Sequence, residues 1–370
     1  MSNESVISNN IFNTKKTDYQ RPNLFLDQPM GLMDTINKNY PEIWNLYKKL
    51  KALDWDENEF DFTTCNVEFK TCPRNVYDMM IRTLAWQWEA DSIVARHIAP
   101  VVAPFVSSSE LWATWARVTE NEALHSFTYS EIVRNSFDDP DQVLEDILKV
   151  TESLQRLVTI SSVMDKAYIT SHKLALGLVD RNSQEVYNDI FMFVVALLCL
   201  ERLQFMSSFA VTFAIANSGM FVPIGKAVQK ICQDEYEIHG RLDKEILRIE
   251  MGTERGRTAY QQCKDQIKVM IDEVVFSEIT WTDYLFSEGR ELVGVTPELL
   301  KRWVLWMASD IYKFMGIEPN YELPTCNPLG FMDDWIRNDH QVSSQEDKSV
   351  AYMLGAIVDN VGDTVIDIEF

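Results

Sequence analysis

Glu122-Ala123-Leu124-His125-Ser126-Phe127-Thr128-Tyr129 sets a carboxylate, an imidazole and a phenol three and then four residues apart. On an α-helix each residue turns about 100°, so positions three and seven residues on fall within about 60° of the first. Glu122, His125 and Tyr129 therefore share one face. The segment around them, 108–137, repeats apolar residues at helical spacing, which would turn that face into a core. Working outward, three more such segments carry ionisable groups where a core is expected. Segment 184–217 has Glu201 directly after the apolar run Val194 to Leu200. Segment 225–251 has Asp234, Glu235 and His239. Segment 74–100 has Asp91, following Trp86 and Trp88.

Each of these has a dull explanation taken alone. A Glu-x-x-His on a helix is usually a surface pair, an Asp-Glu pair is usually solvated, and a tyrosine on an apolar face is usually core. Together they are harder to dismiss. Four buried carboxylates (Asp91, Glu122, Glu201, Glu235) with two imidazoles (His125, His239) repel one another unless positive charge lies between them. Two divalent cations bring four positive charges to four negative ones. Helix bundles build dinuclear sites in this way, with acidic residues from two helices and a Glu–His pair from each of two others. Oxygen-rich ligation with one imidazole per ion suits iron or manganese.

The rest of the chain agrees with an all-α reading. Helical spacing marks 41–53, 74–100, 108–137, 140–176, 184–217, 225–251, 256–286 and 296–315, strand signals are sparse, and long helices with short connections favour a bundle. Pro100 and Pro104 would close one segment, Ser108 would cap the next, and Pro297 would open the last. The net charge of −22 argues against nucleic acid and against anionic membranes. The longest apolar stretch, Phe191 to Leu200, stops at Glu201 and Arg202 and is short for a bilayer span. Six cysteines without a CxxC pair read as reduced thiols of a cytoplasmic protein. Residues 1–28 read as a flexible, Asn-rich N-terminal arm, 29–330 as the helical domain, and 331–370 as an acidic C-terminal tail. That tail ends Thr364-Val365-Ile366-Asp367-Ile368-Glu369-Phe370, whose apolar residues suit a peptide docked by a partner.

Several words of the sequence resemble the small, radical-generating subunit of class I ribonucleotide reductases. They are Ala90-Asp91-Ser92-Ile93, Glu122 to Tyr129, Leu200-Glu201-Arg202-Leu203-Gln204-Phe205, Gln233-Asp234-Glu235, Trp281-Thr282-Asp283-Tyr284-Leu285-Phe286, Asn327-Pro328 and Tyr352-Met353-Leu354-Gly355. Their order and spacing match from about Phe25 to the C-terminus. The resemblance implies a ferritin-like helical bundle with a dinuclear metal site in its core. One ion would be held by Asp91, Glu122 and His125 and the other by Glu201, Glu235 and His239, with Glu122 and Glu235 bridging. It implies two iron ions, with manganese as the alternative, and a stable radical on Tyr129 behind Phe205, Phe209 and Ile231. Trp55, Asp234 and Tyr352 would relay the oxidising equivalent to a large catalytic subunit, which docks the tail from about Asp359 to Phe370. A homodimer is the family's usual state.

Two positions depart from the family pattern. The second Glu and His are normally three residues apart, whereas Glu235 and His239 are four apart. Both still share a face, and a one-residue insertion can be absorbed as a π-bulge, a feature common at functional positions. Gln233 stands where many relatives have an arginine. Two other functions would use the same carboxylates and imidazoles, a ferritin-like oxygenase with its own substrate and a helical metal-storage protein. Neither needs Trp55, Tyr352 and a docking tail together, and storage needs no tyrosine one turn beyond a histidine ligand.

Overall fold

The computed structural model describes residues 22–27, 33 and 36–336. Among these the regular structure is helical, and the only β pairings are two isolated bridges, Phe25 with Val106 and Leu292 with Val295. The helices are α1 (Pro41–Ala52), α2 (Thr63–Thr71), α3 (Arg74–Val102), α4 (Ser109–Ser136), α5 (Pro140–Ile147), α6 (Thr151–Ala175), α7 (Gln184–Cys199), α8 (Phe205–Asn217), α9 (Val222–Asp234), α10 (Gly240–Met251), α11 (Glu254–Leu285), α12 (Pro297–Met315) and α13 (Phe331–Ile336). Their ends follow from side chains. Ser108 Oγ accepts the Leu111 N–H at 3.2 Å and starts α4. Thr296 Oγ1 does the same for Leu299 at 3.3 Å, with Pro297 in the first turn of α12, where its missing N–H costs nothing.

Helices α3 and α4 pack side by side, α6 and α8 lie against α3, and α7 packs on α6, α10 and α11. The centre is α7 and α8, in which nearly every side chain is buried. By length and apolarity the continuous segment Gln184–Asn217 would suffice to cross a membrane, which the short run Phe191 to Leu200 did not suggest. Its most apolar stretch is wholly buried among the other helices, so a protein core is the solvent it is matched to.

Two helical segments contain one widened turn each. Between α7 and α8, at Leu200–Gln204, the Phe205 N–H reaches back five residues to the Leu200 carbonyl. Between α9 and α10, at Glu235–His239, the Gly240 N–H reaches back to the Glu235 carbonyl in the same way. Both are π-turns, each holding one residue more than a regular turn. The four-residue spacing of Glu235 and His239 is thus taken up as the sequence suggested, while the turn around Glu201 carried no such signal.

Other boundaries differ from expectation. The segment 140–176 is two helices, α5 and α6, broken at 148–150, where the Leu148 N–H returns to the Leu144 and Asp146 carbonyls. Pro100 does not end α3, which runs two residues further; so near the end of a helix, the loss of one N–H is tolerated. Of the expected N-terminal arm, residues 22–27 are packed. Leu24, Phe25 and Leu26 are buried, the Leu26 N–H donates to the Phe105 carbonyl, and the Ser107 N–H donates to the Leu24 carbonyl. Residues 1–21 and 337–370 lie outside the described residues, and Tyr352 with them. Of the stretch read as tail, 331–336 form α13, whose Trp335 stacks on Phe213 of α8 at 4.5 Å.

Candidate metal centre

Four helical segments deliver the ionisable groups to one place. Asp91 comes from α3, Glu122 and His125 from α4, Glu201 from the first π-turn, and Glu235 and His239 from the second. One ligand atom from each of Asp91, Glu122, His125 and Glu235 lies within 4.8 Å of the others, and the same holds for Glu122, Glu201, Glu235 and His239. The two groups share Glu122 and Glu235. All six side chains are buried. His125 Nδ1 is 2.8 Å from a Glu235 oxygen, and His239 Nδ1 is 2.6 Å from the other Glu235 oxygen and 3.1 Å from Glu122. Yet both carboxylate oxygens of Asp91, Glu122 and Glu235, one of Glu201 and the Nδ1 atoms of both histidines make no aligned hydrogen bond. Buried polar atoms are nearly always paired. Here they converge to ion-pair distance without aligned hydrogen bonds, as they would around cations, so the donor set fits a dinuclear centre of hard or borderline ions.

The outer nitrogens of both imidazoles are engaged. Asp234 Oδ2 takes His125 Nε2 at 3.2 Å, the Trp55 indole N–H at 2.8 Å and the Asn121 amide at 3.1 Å. Asn121 Oδ1 in turn faces His239 Nε2 at 2.9 Å. Each Nδ1 is thereby left to point inward, the arrangement that fixes tautomer and ring orientation in metal sites. The Trp55 and His125 rings stack, 6.0 Å between centroids and 17° between planes. Tyr129 is fully buried and its hydroxyl has no hydrogen-bond partner. Phe205, Phe209 and Ile231 are buried completely as well, with Phe205 stacked on Phe209 and edge-on to Trp86.

A family described as "Ribonucleotide reductase, small chain" matches residues 33–328. The chain belongs to that family. Similar proteins include the "Ribonucleoside-diphosphate reductase 1 subunit beta" of Escherichia coli O157:H7, 25% identical over 94% of this chain and 95% of that one. The corresponding "subunit beta" of Enterobacteria phage T4 is 21% identical over 96% and 97%. Among solved structures, the fold is similar to that of the ribonucleotide reductase R2 subunit from Clostridium botulinum (TM-score 0.68, 18% identity, 80% of this chain and 89% of that one). It is also similar to that of the dimanganese(II) NrdF of Streptococcus sanguinis (TM-score 0.65, 13% identity, 82% and 99%). The ferritin-like bundle is therefore the fold, and ribonucleoside-diphosphate reductase, an oxidoreductase, is the enzyme to which a small chain of this family contributes.

Burial sets the electrostatics of this cluster in a reductase small chain. Burial, reinforced by Glu122, pushes Asp91 well above the usual carboxylate range, and burial with Glu235 and Glu122 does the same to Glu201. Glu122 rises for the same reasons, burial first and then Glu235. Burial works against protonating the histidines, but Glu235 outweighs it. His125 is held well above its ordinary value, and His239 is raised to about 10. Glu235, between two imidazolium rings, is pulled down despite its burial. Burial and mutual repulsion thus favour proton uptake by the metal-free cluster, and two cations would take the place of those protons. The sequence reading missed Asn121; its one signal was a position four residues before His125, on the same helix face.

Proposed function

We propose that Asp91, Glu122 and His125 hold one metal ion and Glu201, Glu235 and His239 the other, with Glu122 and Glu235 bridging, and that Tyr129 is the residue oxidised. Iron is the first choice for both ions; the oxygen-rich donor set and the dimanganese(II) relative keep manganese as the alternative. When bound, the pair would supply the oxidising power, drawn from O2, that removes an electron from Tyr129. The chain's own residues do the rest. Burial and the neighbouring carboxylates, Asp91 first among them, disfavour the Tyr129 phenolate, so the phenolic proton would leave together with the electron and pass to the Asp91 carboxylate. Phe205, Phe209 and Ile231 keep out the water and reductants that would quench the product. Asp234 orients His125 and holds Trp55, giving a hydrogen-bonded route from the centre toward the surface.

From there the oxidising equivalent would pass through Tyr352 to the large catalytic subunit, which reduces ribonucleotides and docks the C-terminal tail. Tyr352 and that tail lie outside the described residues, so this step rests on the family resemblance. A homodimer and a cytoplasmic location complete the reading; all six cysteines are unpaired.

The observation that carries the proposal is the convergence of six buried ligand atoms that make no aligned hydrogen bonds. Metal analysis after addition of Fe(II) and O2, with electron paramagnetic resonance on the same sample, tests it. Two ions per chain and a tyrosyl signal are expected, and Tyr129→Phe should keep both ions and lose the signal. A Tyr129→Phe protein that keeps the signal places the radical elsewhere.

A further inference from the structure

Arg202 directly follows Glu201 in the first π-turn and is almost fully buried, a costly place for a cation. Its contacts run to the other π-turn. There the Gly240 N–H, which in a regular helix would bond the Tyr236 carbonyl, is diverted to Glu235. Arg202 Nη1 donates to that released Tyr236 carbonyl at 2.7 Å, and its guanidinium lies 3.5 Å from the centre of the Tyr236 ring. Nη2 donates to Asp310 of α12 at 3.0 Å, and Lys244 also pairs with Asp310. Gly240 leaves just enough space, since a Cβ there would lie 2.3 Å from Arg202 Cδ and 2.4 Å from Cγ, closer than any side chain allows.

Tyr236 sits between Glu235 and His239, and Arg202 sits beside Glu201. One planar fork therefore spans the two turns that carry three of the six proposed ligands. We propose that Arg202 is a positioning residue that locks the two π-turns in register, and so sets the distance of Glu201 from Glu235 and His239. It touches none of the ligand atoms. A lysine could not replace it fully, because an ammonium on a flexible stem cannot bridge two acceptors while lying flat on a ring. The inference rests on the dinuclear reading above.

The test is an equilibrium titration of the full chain with Mn(II), followed by electron paramagnetic resonance, beside denaturant unfolding of the metal-free protein. The unaltered chain should bind two ions. Arg202→Met should keep the affinity of the ion on the Asp91 side and weaken the ion on the Glu201 side by about 10–100-fold, the range found when groups supporting metal ligands are removed. Arg202→Lys, which keeps charge and stem should the methionine variant fail to fold, should weaken the same ion by roughly tenfold. Gly240→Ala should act in the same direction by expelling the arginine, and should add little in the Arg202→Met background. Unchanged affinities overturn the proposal, and so does equal weakening of both ions in step with lost stability, which would mark a general scaffold role. An unaltered chain that binds fewer than two ions removes the dinuclear centre itself, a failure seen before any variant is made.

Discussion

At the scale of single residues, the carboxylate of Asp234 has the widest reach. One of its oxygens receives an indole from the loop after α1, and an amide and an imidazole from α4. Asp234→Ala should leave those donors unmet, costing about 1–3 kcal/mol of unfolding free energy in the metal-free protein. It should also weaken metal binding by about 10–100-fold. Denaturant titration reads the first effect and metal titration the second; a stability loss without an affinity change would make Asp234 a prop for Trp55 alone. The residues at the centre were legible because their chemistry clashes with their surroundings. Acids and imidazoles on apolar helical faces stand out in a sequence, as Glu122 with His125 and Glu201 after Leu200 both do. Asn121 and Arg202 did not stand out, since their purpose is to satisfy atoms whose positions depend on distant segments.

At the scale of elements, spacing reveals a widened turn only where two functional side chains bracket it. Glu235 and His239 bracket theirs. Glu201 stands alone in its turn, and nothing in Leu200 to Gln204 reports the extra residue. The break between α5 and α6 was hidden for another reason: Leu148, Lys149 and Val150 include neither glycine nor proline. Helix α6 is also tied to α11 by a buried ion pair. Arg156 donates to both oxygens of Glu278, at 2.9 and 2.6 Å, and its guanidinium lies 3.7 Å from the centre of the Trp86 ring and 4.6 Å from that of Trp281. Arg156→Met would strand the Glu278 carboxylate in the core. A loss of roughly 3–5 kcal/mol in denaturant unfolding is expected, with restoration of most of it when Glu278→Gln is added; additive losses would contradict the pairing.

For the molecule as a whole, the protonated cluster ties stability to pH. The histidine contributions are complete below the ordinary imidazole value of 6.5 and are lost as pH rises through about 10, the value to which His239 is raised. Asp91 and Glu201, also raised, act in the same direction from lower pH. Glu235, held low, contributes above its ordinary 4.5 and fades only on strong acidification. The metal-free protein should therefore lose on the order of a few kcal/mol between pH 6.5 and 10, read by unfolding in the presence of a chelator. Saturating metal should flatten that slope, because ions then do the neutralising, and binding at neutral pH should release protons. At the same scale, deleting residues 360–370 should leave metal content and radical signal intact and abolish association with the large subunit; unchanged association in a pull-down would end the docking role. The N-terminal stretch shows the limit of reading such a chain. Leu24-Phe25-Leu26 looks like a short apolar interruption in a polar arm, and its partners at Phe105 and Ser107 are some 80 residues away.

The π-turn at Glu235–His239 has a consequence for how this chain tolerates insertions and deletions. One residue more or less rotates everything downstream on a helix by about 100°, enough to swing Leu242, Ile246 and Leu247 of α10 from the interior to water. Because the surplus is confined to one loose turn, the phase of α9 and the phase of α10 can each suit its own neighbours. The turn works like a slip coupling on a shaft, and removing its spare residue should be tolerated better than removing one from the middle of either helix.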